Sequence, residues 1–511
     1  MKAGKFLFSE QTRVFSHALF RASTEILLSP LRKASGLSLP LTVLSQEGVE
    51  HGGTEFTELH LEHGHVCLVL SARLKGEEYE IDVDTFGVRL AAGTVQGMAH
   101  ALHTLLQLLP PAVFSPGPRI GVVWAAPCLL ISDQPQHPWR GAMLDCVRHF
   151  IPISELKRFI DLFALHHLNV LQLHLNDDQG WRIEIQSRPE LTNAVAWRPG
   201  TTRGHQRARA GVEAVPHGGF YTQAEMKELI TYAEVRGVSL VPEIDFPGHA
   251  TAALAAYPQL ASGPAPSHPA CDFGILESAI FPSEENLEFI TPIYEELMEL
   301  FPSPYFHIGG DELKLDRWRS DSRIPELLRE YRLESLRELQ PWFTRRLQAV
   351  ASKHGKRIIG WEEIYHPKLP EDAVIMSWRG EIPADREGTH EVIMAPYTHL
   401  YFDYYQSVDI EKEPLAIEGV TTLEHVYSYD PLSGSASSGN IIGLQGQLWT
   451  EYLPTEHARQ YMAFPRFCAL SEVGWGKTTF EDFCGRLKAG LSRFDVRGTT
   501  YRPLRTQDST L

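Results

Sequence analysis

The sequence predicts an α/β fold: a (β/α)8 TIM barrel preceded by a small α+β accessory domain. Three observations lead there. Eight short apolar runs recur from about Trp139 onward, mostly separated by amphipathic helices. The first 135 or so residues differ, with alternating strands followed by one packing helix. The 511 residues suffice for a barrel of about 350 residues and one smaller unit. The expected division is residues 1–135 for the accessory domain, 136–495 for the barrel and 496–511 for a C-terminal tail. An open doubly wound sheet is the structural alternative.

In the accessory domain, His65 to Leu70 reads as one strand. Glu78 to Asp84 alternates polar and apolar strictly, as a half-buried strand does. Val95, Met98, Leu102, Leu105 and Leu109 recur at helical spacing, and Pro110-Pro111 stops that helix. The Pro-rich stretch Ser115 to Pro138 reads as a linker. The eight barrel strands are expected at Gly141–Asp145, Val170–Leu175, Val238–Glu243, Tyr305–Gly309, Arg357–Trp361, Val374–Trp378, Glu391–Ala395 and Ile442–Leu448. Between them, Leu156, Phe159, Ile160 and Phe163 share a helix face. Thr222 and Glu225 form a capping box ahead of Met226, Leu229, Ile230 and Ala233, and Gly237 ends that helix. Leu287, Ile290, Tyr294, Leu297 and Phe301 mark another. The helix between the seventh and eighth strands has the weakest signal. Two long loops, Gln186 to Tyr221 and Pro247 to Pro282, follow the second and third strands, on the face where barrels build their sites. The first carries the basic run Arg203 to Arg209, read as a solvated loop.

Composition narrows the function. Lys and Arg number 47 against 64 Asp and Glu, a net charge of −17, which argues against a nucleic-acid-binding surface. No apolar run approaches the roughly 20 residues of a membrane span. The six cysteines lack C-x-x-C spacing and read as reduced thiols. The N-terminus shows no sustained apolar segment of a signal peptide, and no N-x-[ST] sequon occurs, so a cytoplasmic location is expected. No G-x-G-x-x-G follows a strand, Gly474 to Thr478 lacks the first glycine of a phosphate loop, and H-E-x-x-H is absent. His174, His249 and His307 lie near strand ends but read as hydrogen-bonded structural histidines, so neither metal nor cofactor is expected.

Polar chemistry concentrates at the strand ends. The second runs His174-Leu175-Asn176-Asp177-Asp178-Gln179-Gly180-Trp181, the third Glu243-Ile244-Asp245-Phe246-Pro247-Gly248-His249, the fourth His307-Ile308-Gly309-Gly310-Asp311-Glu312. The fifth adds Trp361-Glu362-Glu363, the sixth Trp378-Arg379, the eighth Trp449-Thr450-Glu451. A ring of carboxylates and indoles suits a sugar, because indole faces stack on pyranose C–H surfaces and carboxylates accept from hydroxyls.

His307-Ile308-Gly309-Gly310-Asp311-Glu312 resembles the H-x-G-G-D-E signature of the β-N-acetylhexosaminidase family of glycoside hydrolases, family 20. Ordered matches accompany it: Arg140 to Asp145 with Arg148-His149-Phe150, His174 to Trp181, Pro242 to His249, Gly360-Trp361-Glu362, Ser377-Trp378, Tyr401-Phe402-Asp403 and Trp449-Thr450-Glu451. The resemblance covers about 139 to 480, and the N-terminal segment is similar to that family's accessory domain. It implies an exo-acting hydrolase of terminal β-linked GlcNAc or GalNAc, with a small carbohydrate as its partner and an oligomeric state left open.

Ordinary glycosidases hold two carboxyls across the scissile bond. Consecutive strand residues point to opposite faces, so Asp311 and Glu312 are not expected to flank it as acid and nucleophile. Family 20 uses the substrate's 2-acetamido oxygen as nucleophile instead. The resemblance implies Glu312 as general acid and base, Asp311 orienting the acetamido N–H, and Tyr401 donating to its carbonyl. It implies Trp361, Trp378 and Trp449 as walls, Arg140 on O3 and O4, Asp177 on O3, Asp403 on O6, and Glu451 on O4 and O6. His249 is placed between Asp177 and Glu312, tuning proton affinity. Asp178 competes with Asp177 for its position, and Arg140 starts its strand rather than ending it. Glu243, Asp245 and His307 are expected to be supporting residues, and Glu362 and Glu363 to cap the next helix.

Overall fold

The computed structural model describes residues 2–44, 64–380, 390–433 and 440–504. Eight parallel strands close a barrel in chain order: Trp139–Asp145, Val170–His174, Ser239–Glu243, Tyr305–His307, Arg357–Trp361, Val374–Ser377, Val392–Met394 and Ile441–Leu448, the last pairing with the first. The expected (β/α)8 barrel is therefore present. Its outer ring is uneven. Long helices follow the first four strands at Ile153–Leu165, Gln223–Glu234, Glu284–Leu300 and Leu339–Lys353. Only a short 3-10 turn, Glu362–Ile364, follows the fifth, and among the described residues no helix lies between the sixth and seventh. The weak signal after the seventh strand corresponds to the short helices Tyr397–Leu400 and Leu423–Ser428. Phe480–Arg497 is the final helix and runs past the expected barrel limit at 495.

Register places the strand ends side by side. Asp145 pairs with His174, His174 with Glu243, and Glu243 with His307. Four polar residues thus meet at one level of the barrel. Beneath them the interior holds Val170, Val241, Ile359, Val374, Met376 and Ile393. A hydrogen-bonded chain climbs through it: Trp139 donates to Gln445 at 3.0 Å, Gln445 to Gln172 at 2.7 Å, and Gln172 to Glu243 at 2.8 Å. Each buried amide is satisfied by the next, which offsets its desolvation.

The accessory domain is a six-stranded mixed sheet ordered Leu41–Leu44, Arg13–His17, His65–Leu70, Gly87–Ala92, Tyr79–Val83, Leu129–Asp133. The helices Arg21–Ser35 and Val95–Leu108 pack on it. Thr94 caps the second helix through Gly97 N–H at 3.1 Å. The expected linker is shorter than its proline content suggested. Leu129–Asp133 pairs antiparallel with Tyr79–Val83 as an edge strand, so that part of the stretch is sheet.

Candidate active site

Asp177 stands at the centre. It receives Arg148 Nη2 at 2.7 Å, His174 Nε2 at 2.9 Å and His249 Nδ1 at 3.0 Å. Burial alone would raise its carboxyl, but Arg148 and the two imidazoles hold it well below the carboxylate range. Asp178 turns away to Thr251, accepting from its N–H at 3.0 Å and its hydroxyl at 2.6 Å. Burial and the neighbouring Asp177 push Asp178 up to about 6. Of the two, Asp177 is the one held by Arg148 and His174.

His174 bridges Asp177 and Glu243, with Nδ1 2.8 Å from Glu243. Burial would lower it, but the two carboxylates raise it to about 10. Glu243 also accepts from Trp361 Nε1 at 3.0 Å and lies 3.1 Å from His307 Nδ1. It orients one wall of the site and has no free face for a ligand. The triads Asp177–Asp178–His249 and Asp245–His249–Asp311 bring ligand-type atoms within 4.8 Å of one another. Three cationic or N–H donors already occupy Asp177, which opposes a metal ion there.

The alternation expected for Asp311 and Glu312 does not hold, because the strand ends at His307. Gly309, Gly310 and Glu312 have φ of 62°, 97° and 52°, which breaks the pleat. Both carboxyls consequently face one imidazole: His249 Nε2 lies 3.8 Å from Asp311 and 3.6 Å from Glu312. A Cβ on Gly309 would fall 2.0 Å from the Asp245 carboxyl, so only glycine fits. That close approach lets Gly310 N–H donate to Asp245 at 2.8 Å. Asp245 in turn places a carboxyl oxygen within 4.8 Å of one of Asp311. Burial, followed by the charge of Asp245, pushes Asp311 well above the carboxylate range.

Aromatic residues complete the walls. Trp361 and Trp449 have ring centres 6.0 Å apart, Tyr401 and Trp449 6.5 Å, and Trp378 and Tyr401 6.4 Å with planes inclined by 29°. Trp378 is fixed by its Nε1 donating to Glu363 at 3.1 Å. Glu362 accepts from Ser377 at 2.9 Å and Arg379 at 3.0 Å. The two glutamates therefore brace the sixth strand end rather than capping a helix, since no helix follows them. Burial and Glu451 raise Asp403, and burial raises Glu451. His249 Nε2, Asp311 Oδ1, Asp403 Oδ1 and Glu451 Oε2 are all buried without a hydrogen-bond partner among the described residues. Buried polar atoms left this way await a ligand.

Arg140 is not part of this group. It lies at the opposite end of the first strand, fully buried, paired with Glu77 of the accessory domain. It also donates to His167 O at 2.9 Å and His137 O at 2.7 Å. The arginine that enters the site is Arg148, which donates to Gln179 at 3.0 Å and lies 5.0 Å over the Trp449 ring. Its sequence signal was its place just beyond the end of the strand.

Both long loops reach the site. Residues 197–218 form two small sheets, Trp197–Arg198 with His217–Gly218 and Thr201–Thr202 with Val212–Glu213. At their tip His205 stacks on Tyr452, 5.1 Å between centres and inclined by 10°, and bonds Ile417 O at 2.7 Å. Arg207 pairs with Glu418 at 2.6 Å. The basic run is thus partly a strap fastened beside Glu451, with Arg203 and Arg209 exposed. The second loop docks through Ala270 N–H on Asp178 O at 2.8 Å and Gln179 on Asp272 O at 2.9 Å.

Comparison with known proteins agrees with this layout. The model of the glycosyl hydrolase family 20 catalytic domain matches residues 137–478, and that of the same family's domain 2 matches residues 1–134. A beta-hexosaminidase of Porphyromonas gingivalis is 37% identical over 487 residues, covering 93% of this chain and 60% of that protein. One of Akkermansia muciniphila is 32% identical over 479 residues, covering 88% and 91%. The GH20 β-N-acetylhexosaminidase of Streptomyces coelicolor A3(2) superposes with a TM-score of 0.82 at 28% identity, over 99% of this chain and 96% of that one. The GH20 exo β-N-acetylglucosaminidase of Vibrio harveyi, solved with N-acetylglucosamine, gives 0.81 at 29% identity, over 98% and 76%. The chain spans 60% of the Porphyromonas relative's length and 65% of a Vibrio furnissii one.

Proposed function

The chain belongs to glycosyl hydrolase family 20, and on that premise we propose that it is an exo-acting β-N-acetylhexosaminidase. It removes terminal β-linked GlcNAc or GalNAc with retention, using the substrate's acetamido oxygen as nucleophile. The observation that carries this reading is the placement of the Asp311 and Asp245 carboxyls, whose oxygens lie within 4.8 Å of each other and of His249. A carboxyl that burial and a neighbouring carboxylate hold toward its protonated form is a poor nucleophile. Its free Oδ1 is still an acceptor for an acetamido N–H. As the oxazolinium ring forms, the negative charge of the pair balances the charge on nitrogen. Glu312 protonates the leaving oxygen and then activates water, and His249 relays its state to Asp177. Tyr401 donates to the acetamido carbonyl between Trp361, Trp378 and Trp449. Arg148 and Asp177 take the O3 and O4 side, and Asp403 and Glu451 take O4 and O6. The neighbours solved with N-acetylglucosamine support a small sugar as substrate.

No helix among the described residues is long and apolar enough to cross a membrane. A cytoplasmic site of action on small oligosaccharides is supported by six cysteines, none in a disulfide. Fractionation of the native protein outside the cell overturns that part. The activity itself is tested with chromogenic GlcNAc and glucose glycosides side by side. Release from the first and near silence on the second is expected. A stable adduct with a 2-fluoro glycoside, seen by intact-protein mass spectrometry on Asp311 or Glu312, refutes the internal nucleophile.

A further inference from the structure

A second polar cavity of about 380 Å³ lies away from the barrel mouth, where the accessory domain meets the outside of the barrel. Its walls come from the Arg21–Ser35 and Val95–Leu108 helices on one side. The Ile153–Leu165 helix, Tyr232 and Arg236 at the end of the Gln223–Glu234 helix, and Arg497 supply the other. Its charge is unbalanced in a chain of net charge −17. Asp161 is shared by Arg236 Nε at 2.7 Å, Tyr232 Oη at 2.8 Å and Arg497 Nη2 at 3.2 Å. Lys33, also on the wall, has no ion-pair partner among the described residues. Glu25 and Arg158, the other charged lining groups, are paired with Arg32 and Glu456. Three cations therefore face one carboxylate.

His103 is the second observation. It lines the same cavity at 5% exposure, and neither ring nitrogen has a hydrogen-bond partner among the described residues. Burial, with His100, Arg236, Arg497 and His166 around it, keeps the ring well below the ordinary imidazole range. A neutral imidazole among cations, with an N–H to donate, is a poor neighbour for a metal and a good one for an oxyanion. The ammonium, the guanidinium N–H groups and this ring line one cavity, and these are the donors that a phosphate takes.

We propose that this cavity binds phosphate, carried by a small organic ester, through Lys33, His103, Arg236 and Arg497. It bridges the accessory domain and the barrel, so occupancy fastens one to the other. The volume exceeds that of a bare ion and leaves room for a sugar-sized group. Nothing in the hydrolase reading enters this assignment.

The test is thermal unfolding of the full chain with inorganic phosphate or glucose 6-phosphate, against sodium chloride at matched ionic strength. A saturable rise in Tm is expected with phosphate and not with chloride. Lys33→Met should weaken the apparent affinity about tenfold or more, the worth of one charge-assisted hydrogen bond. It should leave GlcNAc glycoside hydrolysis unchanged, so failure here and failure of the hydrolase reading are told apart. In protein with labelled histidine, the His103 ring signals should move toward the protonated position on adding phosphate. Tighter binding of glucose 6-phosphate assigns the ester. Equal binding assigns the free ion and keeps the site while removing the ester. A Tm rise matched by chloride, or undiminished in Lys33→Met, overturns the proposal.

Discussion

Asp311 and Asp245 come from different strand ends and bring their carboxyl oxygens within 4.8 Å of each other, beside a glycine at 309 that lets the Asp245 carboxyl sit where a side chain would be. Burial raises both carboxyls, Asp311 well above the ordinary range with the charge of Asp245 adding to it.

A pH signature follows. A carboxyl raised on folding contributes stability below its unfolded value, and that contribution is lost as pH rises through its folded value. Asp311→Asn keeps a donor toward Asp245 and removes the titration. The variant should therefore gain in Tm relative to the native protein as pH rises above about 4. Thermal unfolding of both at increasing pH measures it, and a pH-independent difference contradicts a raised Asp311 carboxyl. The same variant should lower kcat by about 10²–10³-fold, as loss of one preorganised electrostatic partner does.

His174 shifts in the same direction for a different reason, since carboxylates rather than burial raise it. Held at about 10 by Glu243 and Asp177 against an ordinary 6.5, it stabilises the fold fully below pH 6.5, and the effect fades as pH approaches 10. His174→Gln removes the cation between two buried carboxylates, a cost of about 3 kcal/mol. Denaturant titrations at pH 6 and pH 10 should show that cost shrinking at the higher pH.

The two arginines separate binding from architecture. Arg148→Ala should reduce kcat/KM on the order of 10²-fold, since it strips a buried partner from Asp177. Arg140→Ala should lower Tm sharply, because Glu77 loses its guanidinium, with KM unchanged. An Arg140 variant with normal Tm and raised KM would reverse the assignment.

Much of this was legible in the chain because periodicity and strand-end chemistry are local. All eight barrel strands lie within a residue or two of their apolar runs, and the Thr222–Glu225 capping box is present as expected. What was not legible depended on register or on tertiary partners. Leu129–Asp133 is sheet because Tyr79–Val83 lies beside it, although prolines surround it. The Arg21–Ser35 helix carries Pro30 in its interior, which masks its pattern. Arg140 and Arg148 occur in one matched segment, and only the strand direction shows which of them reaches the site. The facing of Asp311 and Glu312 turned on positive φ at residues 309, 310 and 312, which no alternation rule anticipates.

Acid catalysis by Glu312 should depend on the leaving group. An activated phenol departs with little protonation, whereas an alkyl or sugar alcohol needs a full proton. Glu312→Gln should therefore lose most activity on the poorest leaving groups. Rates for a series of aryl and alkyl GlcNAc glycosides, plotted against leaving-group pKa, test this. A uniform loss across the series would remove Glu312 from the acid role.

The strap makes the last prediction. His205 stacked on Tyr452 and Arg207 paired with Glu418 close the side of the pocket next to Glu451 and Asp403. In the proposed binding mode that side receives O4 and O6, so the strap would block a further residue on the non-reducing end. Loosening the strap should relax this limit while the acetamido end of the site stays intact. The variant carrying His205→Ala and Arg207→Ala should hydrolyse a GlcNAc glycoside capped at O4 by galactose about tenfold better than the native chain, the scale of one lost steric or packing constraint. Its rate on the uncapped glycoside should change little, because none of the altered groups touches Asp311, Glu312 or Tyr401. The ratio of kcat/KM for capped and uncapped substrates reads the effect directly. An unchanged ratio would mean that Glu451 and Asp403 alone set the single-sugar limit.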